Sequence, residues 1–265
     1  MTAGFETLEF ALRDGIAWLT LDRPDAANAL NQQLADEFCQ ALALAEADQD
    51  CHVVVLAGNG RFFCAGGDVA AMAQTPERGA FVARLAGTMH QGLLRLARSS
   101  LVSIAAVHGP AAGAGLGLVL NADFAVASPQ ASFIGAYAGA GLSPDCGVSY
   151  LLPRAVGPRR ATTVLLGGRP VGAQEALEWG LVGEIAGDGF LEQRVRELAE
   201  TLASSPVQAL GPTKRLLTAE AVNGYEAHLR LEQEQIAALS EHRDTAERLA
   251  SFAARSQRLK TAVTD

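Results

Sequence analysis

A chain of 265 residues, 49% hydrophobic and 19% charged, is long enough for one large domain with a sizeable core. Its net charge of −8 argues against a nucleic-acid binder, which needs a basic face. The opening MTAGFETLEF has early acids and no basic or long apolar run, and four cysteines fall in no C-x-x-C spacing, so the expectation is a cytoplasmic protein with free thiols and no metal site.

In chain order, residues 5–22 predict a hairpin, with strands Phe5–Leu12 and Ile16–Leu21 joined at Arg13-Asp14-Gly15. A loop through Asp22-Arg23-Pro24 leads to a helix that Asn28 or Asn31 could cap, with Leu30, Leu34, Phe38 and Ala41 at helical spacing. Cys51–Ala57 predicts a buried strand that runs into a Gly-rich corner, Cys64-Ala65-Gly66-Gly67-Asp68, with Asp68 placed to cap the next helix. Residues 78–98 predict an amphipathic helix carrying Phe81, Leu85, Met89 and Leu93. Residues 99–122 lack charge, yet their glycines, proline and histidine favour a buried strand and helix start over a membrane span. Short strands follow at Asp123–Ala127 and Ser132–Ile134, then helices at Leu151–Leu166 and Ala173–Gly180 and a last strand near Ile185. From Phe190 the chain is helical and charged. Strand–helix alternation up to residue 185 makes the core α/β.

The most informative stretch is VSIAAVHGPAAGAGLGLVLN, residues 102–121. It reads as strand, tight turn and helix start, with Gly113-Ala114-Gly115 at the turn. Small residues there let a substrate approach the backbone, and a helix start leaves N–H groups unpaired. Leu118 breaks the dinucleotide fingerprint, and no Gly-Lys-Ser/Thr forms a phosphate loop. Close packing and an oxyanion hole both fit this stretch alone. The earlier corner favours the hole, because two strand–corner–helix units could each give one N–H to a shared oxygen.

Several motifs, in order and over nearly the whole chain, resemble the crotonase (enoyl-CoA hydratase/isomerase) superfamily. They are Leu21-Asp22-Arg23-Pro24 with Asn28-Ala29-Leu30, Phe63-Cys64-Ala65-Gly66-Gly67-Asp68, and Ala105 to Gly115. Ser143-Pro144-Asp145, Leu152-Pro153-Arg154 and Trp179-Gly180-Leu181-Val182 complete the set. The resemblance implies a spiral of repeated ββα units over residues 1–189. It implies a helical region over 190–265 for contacts in a homotrimer or hexamer. It implies an acyl-CoA substrate, with coenzyme A arriving as part of it and no permanently bound cofactor, and no nucleic-acid or membrane partner. It puts the amides of Ala65 and Ala114 on the thioester oxygen. Cys64, Gly66, Gly67, Asp68, Pro110 and Gly113 are expected around them. The coenzyme A arm is expected to pass Arg23, Pro24, Ala26 and Ala27, with Lys214, Arg255 and Arg258 as phosphate candidates. The family's usual Lys-Pro-x-Phe ending is absent.

Family hydratases use two glutamates, and this chain has Gly117 and Tyr137 in their places, so both hydration acids are missing. Asp145 instead stands where several family isomerases carry an acid. The run Pro144 to Arg154 is most similar to the 1,2-epoxyphenylacetyl-CoA isomerase branch. Asp145 is therefore expected to be the base of an isomerisation, of a double bond or of an epoxide or ring. Its competing reading is a helix N-cap after a proline turn. The resemblance extends to 4-chlorobenzoyl-CoA dehalogenase, where an aspartate like Asp145 attacks the ring, a histidine near His90 helps hydrolysis, and a tryptophan stands at Tyr137. His90 is thus either a hydrolytic helper or a pocket-lining helix residue. Tyr137 either lines the pocket or binds the carboxylate. A non-catalytic acyl-CoA binder is the third reading.

Overall fold

A computed structural model describes the backbone of residues 1–264 and the side chains of residues 1–206 and 208–255. The strands are β1 (Thr2–Ala3), β2 (Leu8–Arg13), β3 (Ile16–Leu21), β4 (Val53–Gly58), β5 (Val102–Val107), β6 (Pro110–Ala112), β7 (Phe124–Ala127), β8 (Ser132–Ile134), β9 (Val171–Gly172) and β10 (Glu184–Ile185). The helices are α1 (Gln32–Ala47), α2 (Val69–Gln74), α3 (Arg78–Arg98), α4 (Ala114–Leu120), α5 (Val148–Val156), α6 (Pro158–Leu165), α7 (Ala173–Trp179), α8 (Leu191–Ala203), α9 (Val207–Ser240) and α10 (Arg243–Thr264).

Seven strands form one sheet in the order β1-β2-β3-β4-β5-β7-β10. The hairpin β2–β3 is antiparallel, with Phe10 opposite Leu19, and its turn is Asp14-Gly15, both at positive φ. From β3 onward the neighbours are parallel, as helical crossovers require. The central strands are buried on both faces, which explains the apolar runs Val53–Leu56 and Ile104–Val107. A second sheet, β6-β8-β9, stands beside the first. One large apolar cluster on one face of the main sheet takes in α1, α3 and α4, and a smaller one lies under α8.

One expectation is adjusted. The helix expected over Leu151–Leu166 is two helices, because Gly157 at φ 82° breaks it and Pro158 starts the next. The C-terminal helices pack on the core. Helix α9 packs along α3, α10 packs on α2, and Ile236 and Leu249 belong to the main core cluster. Among the described residues no helix is long and apolar enough to cross a membrane.

Candidate active site

The two Gly-rich corners meet through the backbone. Cys64 and Ala111 form a parallel bridge in which the Cys64 amide donates to Pro110 O (3.3 Å) and the Ala112 amide to Cys64 O (2.9 Å). Gly115 fits only because it lacks a side chain, since a Cβ there would come within 2.2 Å of Cys64 O. Cys64 and Pro110 therefore frame the corners, and the Cys64 thiol, which donates to Asn28 O, is pushed up to about 12 by burial.

The structure moves one expected donor by two residues. The Ala65 amide donates to Ala27 O at 3.0 Å, so it is not free for a substrate. In the neighbouring bridge the Leu30 amide donates to Gly66 O and the Asp68 amide to Leu30 O. That alternation leaves the Gly67 amide without a backbone acceptor among the described residues. Ala114 is the first residue of α4, and its amide is likewise unpaired there. Gly67 and Ala114 thus present the two free amides, and both line one apolar pocket with Ala65, Gly66, Gly113, Tyr137 and Asp145.

Asp145 lies in the turn before α5 and, among the described residues, is the only acid lining that pocket. Its Oδ1 faces His90 Nε2, on α3, at 2.5 Å, and both side chains are buried. The Cys146 thiol lies 3.7 Å from Oδ2. The N-cap alternative for Asp145 fails: α5 starts after Gly147 with no local side-chain cap, and the Asp145 carboxylate points elsewhere. His90 sits behind the carboxylate and is not among the pocket-lining residues. Its Nδ1 is buried without a hydrogen-bond partner among the described residues. Tyr137 Oη donates to the Asp145 backbone carbonyl at 3.0 Å, so the phenol holds the turn and not the carboxylate. Burial pushes both the Tyr137 phenol and the Cys146 thiol well up, which keeps both protonated at neutral pH.

His90, Asp145 and Cys146 offer ligand-type atoms within 4.8 Å of one another. Within this cluster the carboxylate is engaged by the imidazole, and the thiol is the more distant neighbour of the same carboxylate. At Gly117 a Cβ would lie 2.7 Å from Cys146 Cβ and 2.8 Å from Cys146 O, so the backbone itself closes the place of the missing acid.

The residues expected along the coenzyme A arm have mixed fates. Arg23 donates to the Ala29 carbonyl and, at 3.0 Å, to Asp68, whose other oxygen caps α2 through the Ala71 amide. Ala26 and Ala27 are half-buried in the same loop. Lys214 is a correction. It is buried, and its three ammonium donors meet Leu96 O (3.0 Å), Leu101 O (2.8 Å) and Asp123 Oδ2 (2.8 Å), leaving none for a phosphate. Arg255 is exposed on α10, and the side chain of Arg258 lies outside the described residues.

Residues 11–260 match the family model described as enoyl-CoA hydratase/isomerase. The chain belongs to the enoyl-CoA hydratase/isomerase family. It is 35% identical over 254 residues to 4-chlorobenzoyl coenzyme A dehalogenase-2 of Arthrobacter sp, covering 95% of this chain and 92% of that protein. It is 33% identical over 256 residues to 1,2-epoxyphenylacetyl-CoA isomerase of Escherichia coli (strain K12), covering 94% and 97%. The crystal structure of enoyl-CoA hydratase from Bacillus halodurans superposes with a TM-score of 0.86 at 26% identity, over 93% of this chain and 100% of that one. The fold is the crotonase fold of this family, and the family acts on acyl-CoA thioesters. Within it, these relatives divide by reaction while keeping the fold.

The sequence reading missed Glu232 and Asn121, which hold the Asp145 turn, and Ile236, which lines the pocket. The only signal was the position of Glu232 and Ile236 on a helix that also carries buried Tyr225 and Leu229.

Proposed function

We propose that this enzyme isomerises an unsaturated acyl-CoA thioester, with Asp145 as its single base and the amides of Gly67 and Ala114 as oxyanion donors. The observation that carries the reading is one carboxylate facing an apolar pocket beside two unpaired amides. Asp145 takes a proton from C2 of a 3-enoyl thioester, and the electron pair moves onto the thioester oxygen, where two N–H groups stabilise it. The protonated Asp145 then returns the proton to C4, and the double bond ends between C2 and C3. One group suffices, because nothing is added to the substrate. Hydration also needs an activated water, and neither Gly117 nor Tyr137 supplies a carboxylate for it.

The His90–Asp145 contact supports a second, hydrolytic reading, in line with the relative named as a dehalogenase. There the Asp145 carboxylate would displace a leaving group to form an ester. His90 would take a proton from the water that cleaves it. The exposed Leu216 and Leu217 on α9, beside an apolar groove that reaches Lys214, support a subunit contact as the family implies.

Asp145→Asn decides the leading reading. It should fold, bind acyl-CoA, and lose about 10²- to 10⁴-fold in isomerisation of 3-hexenoyl-CoA. His90→Ala removes one hydrogen bond to the base and should cost about tenfold or less. Deuterium from D₂O should enter carbon. If a substrate bearing a leaving group instead gains an ¹⁸O-labelled hydroxyl from water over several turnovers, and His90→Ala is as damaging as Asp145→Asn, the hydrolytic reading replaces the isomerase. A binder without catalysis takes up neither label.

A further inference from the structure

Asp145 stands on an unusual turn. Cys146 has φ 56° and Gly147 φ 78°, so two consecutive residues are left-handed, one of them with a side chain. Such a conformation persists only where its surroundings fix it. Four backbone groups at the turn and the start of α5 are held by side chains from elsewhere in the chain. Tyr137 binds the Asp145 carbonyl at 3.0 Å, and Asn121 Nδ2 binds the Cys146 carbonyl at 3.1 Å. Glu232 Oε2 accepts the Gly147 amide at 2.7 Å, and its Oε1 accepts the Ser149 amide at 3.0 Å and the Ser149 hydroxyl at 2.5 Å. These amides are the orphan donors of α5, which no local side chain caps.

Helix α9 supplies one of these grips directly, Glu232, and supports a second through Tyr225. Glu232 lies 85 residues beyond Gly147 in sequence and is only 4% exposed. Tyr225 Oη, one helical stretch earlier, donates to Asn121 Oδ1 at 2.6 Å and so orients the amide that holds Cys146. At Gly147 a Cβ would fall 2.2 Å from Tyr225 Oη, so the absence of a side chain there is what admits α9. Burial is the largest influence on the Glu232 carboxyl and raises it, with the Asp145 charge adding to the rise. A buried acid near a second acid is costly to keep, and helix capping alone needs no such residue.

We propose that Glu232 is a positioning residue, which with Tyr225 and Asn121 clamps the Cys146–Ser149 turn so that the Asp145 carboxylate meets both His90 and the substrate. It touches no substrate atom and acts through the turn. The inference rests on the reading of Asp145 as the catalytic group. Displacing a reacting group by about 1 Å can cost on the order of 10²-fold. Glu232→Gln keeps the size, yet its amide nitrogen must face the Gly147 or Ser149 amide, donor against donor.

The test compares wild type, Glu232→Gln, Tyr225→Phe, Asp145→Asn and the Glu232→Gln/Asp145→Asn double variant, each checked for folding. The first readout is exchange of the C2 protons of butyryl-CoA in D₂O. The second needs no turnover: the low-field proton resonance of the His90–Asp145 hydrogen bond, assigned by its loss in Asp145→Asn. Glu232→Gln should lower the exchange kcat about 10- to 100-fold with KM within about threefold, and should shift or abolish the resonance. It should add nothing in the Asp145→Asn background, as expected of residues acting as a unit. A folded Glu232→Gln with wild-type kcat and an unchanged resonance overturns the proposal. Should that variant fail to fold, Tyr225→Phe must show the same changes in smaller measure, and its indifference overturns the proposal equally. If Asp145→Asn still exchanges protons, the reading of Asp145 fails, and the resonance alone then decides whether Glu232 holds the turn.

Discussion

Gly117 lies within α4 with its Cα against Cys146, and that contact limits what substitution can do there. Placing a glutamate at 117 to restore a hydratase acid drives its Cβ into the Cys146 carbonyl at 2.8 Å, which is backbone and cannot rotate away. Gly117→Glu is therefore expected to gain no hydration of crotonyl-CoA and to lose about 1–3 kcal/mol of stability through overpacking. That should appear as a melting temperature lower by several degrees. A folded variant of wild-type stability that hydrates crotonyl-CoA would contradict it. The same contact explains what could be read from single residues. Asp145 and His90 were legible as site candidates through the family resemblance, and Asp145 also as the one carboxylate between Asp123 and Glu175 in the sequence. Which amide of the first corner is free was not legible, because the bond from Ala65 N to Ala27 O, which occupies the expected donor, is made across 38 positions, and the bridge to Leu30 that leaves the Gly67 amide over is equally non-local.

At the scale of elements, α1 is tied to the start of β2 by one buried acid. Glu37 accepts the Thr7 amide at 2.9 Å and hydroxyl at 2.5 Å, the Glu6 amide at 3.1 Å and Gln33 Nε2 at 3.1 Å. Burial works to raise its carboxyl, but these hydrogen bonds outweigh it and hold the group below the ordinary glutamate value. An acid depressed in the folded state contributes stability above its unfolded pKa and loses it as pH falls through the folded value. Glu37→Gln should thus cost about 1.5–3 kcal/mol at pH 7, as for hydrogen bonds to a charged group. The gap from wild type should close as pH falls below about 4, as read by urea unfolding across pH. A gap that is constant with pH would show that the charge contributes nothing. Elements set by local pattern were legible. The helix expected over 78–98 is Arg78–Arg98, and Asn31 and Asp68 both cap as their spacing suggests, accepting Leu34 N and Ala71 N. The 34-residue α9 was legible as helix but not as a wall of the site, because Glu232 and Ile236 face inward from a chain segment whose charges suggest solvent.

At the scale of the whole molecule, the pocket is assembled from parts far apart in sequence. Leu30 precedes α1, Gly67 and Ala114 come from the two corners, Met89 from α3, Asp145 from the turn before α5, and Ile236 from α9. The tail closes over this assembly. Arg78 Nη1 donates to Ser240 O at 2.8 Å, Thr245 Oγ1 to Gly141 O at 3.0 Å, and Leu249 is fully buried. Lys214 is likewise spent on joining α9 to the end of α3 and the start of β5. A ligand that bridges the two corners should therefore oppose unfolding of core and tail together, in one transition. Acetyl-CoA at about 100 times its Kd should add about 2.7 kcal/mol, a rise of roughly 5–10 °C in Tm for a chain of this size. NAD and ATP at the same concentration should leave Tm unchanged. Leu118 breaks the dinucleotide register, and no Gly-Lys-Ser/Thr stands at the second corner. The measurement is thermal unfolding with each ligand. Stabilisation by NAD in the absence of any effect of acetyl-CoA would mean that the unpaired amides of Gly67 and Ala114 hold a phosphate and not a thioester oxygen.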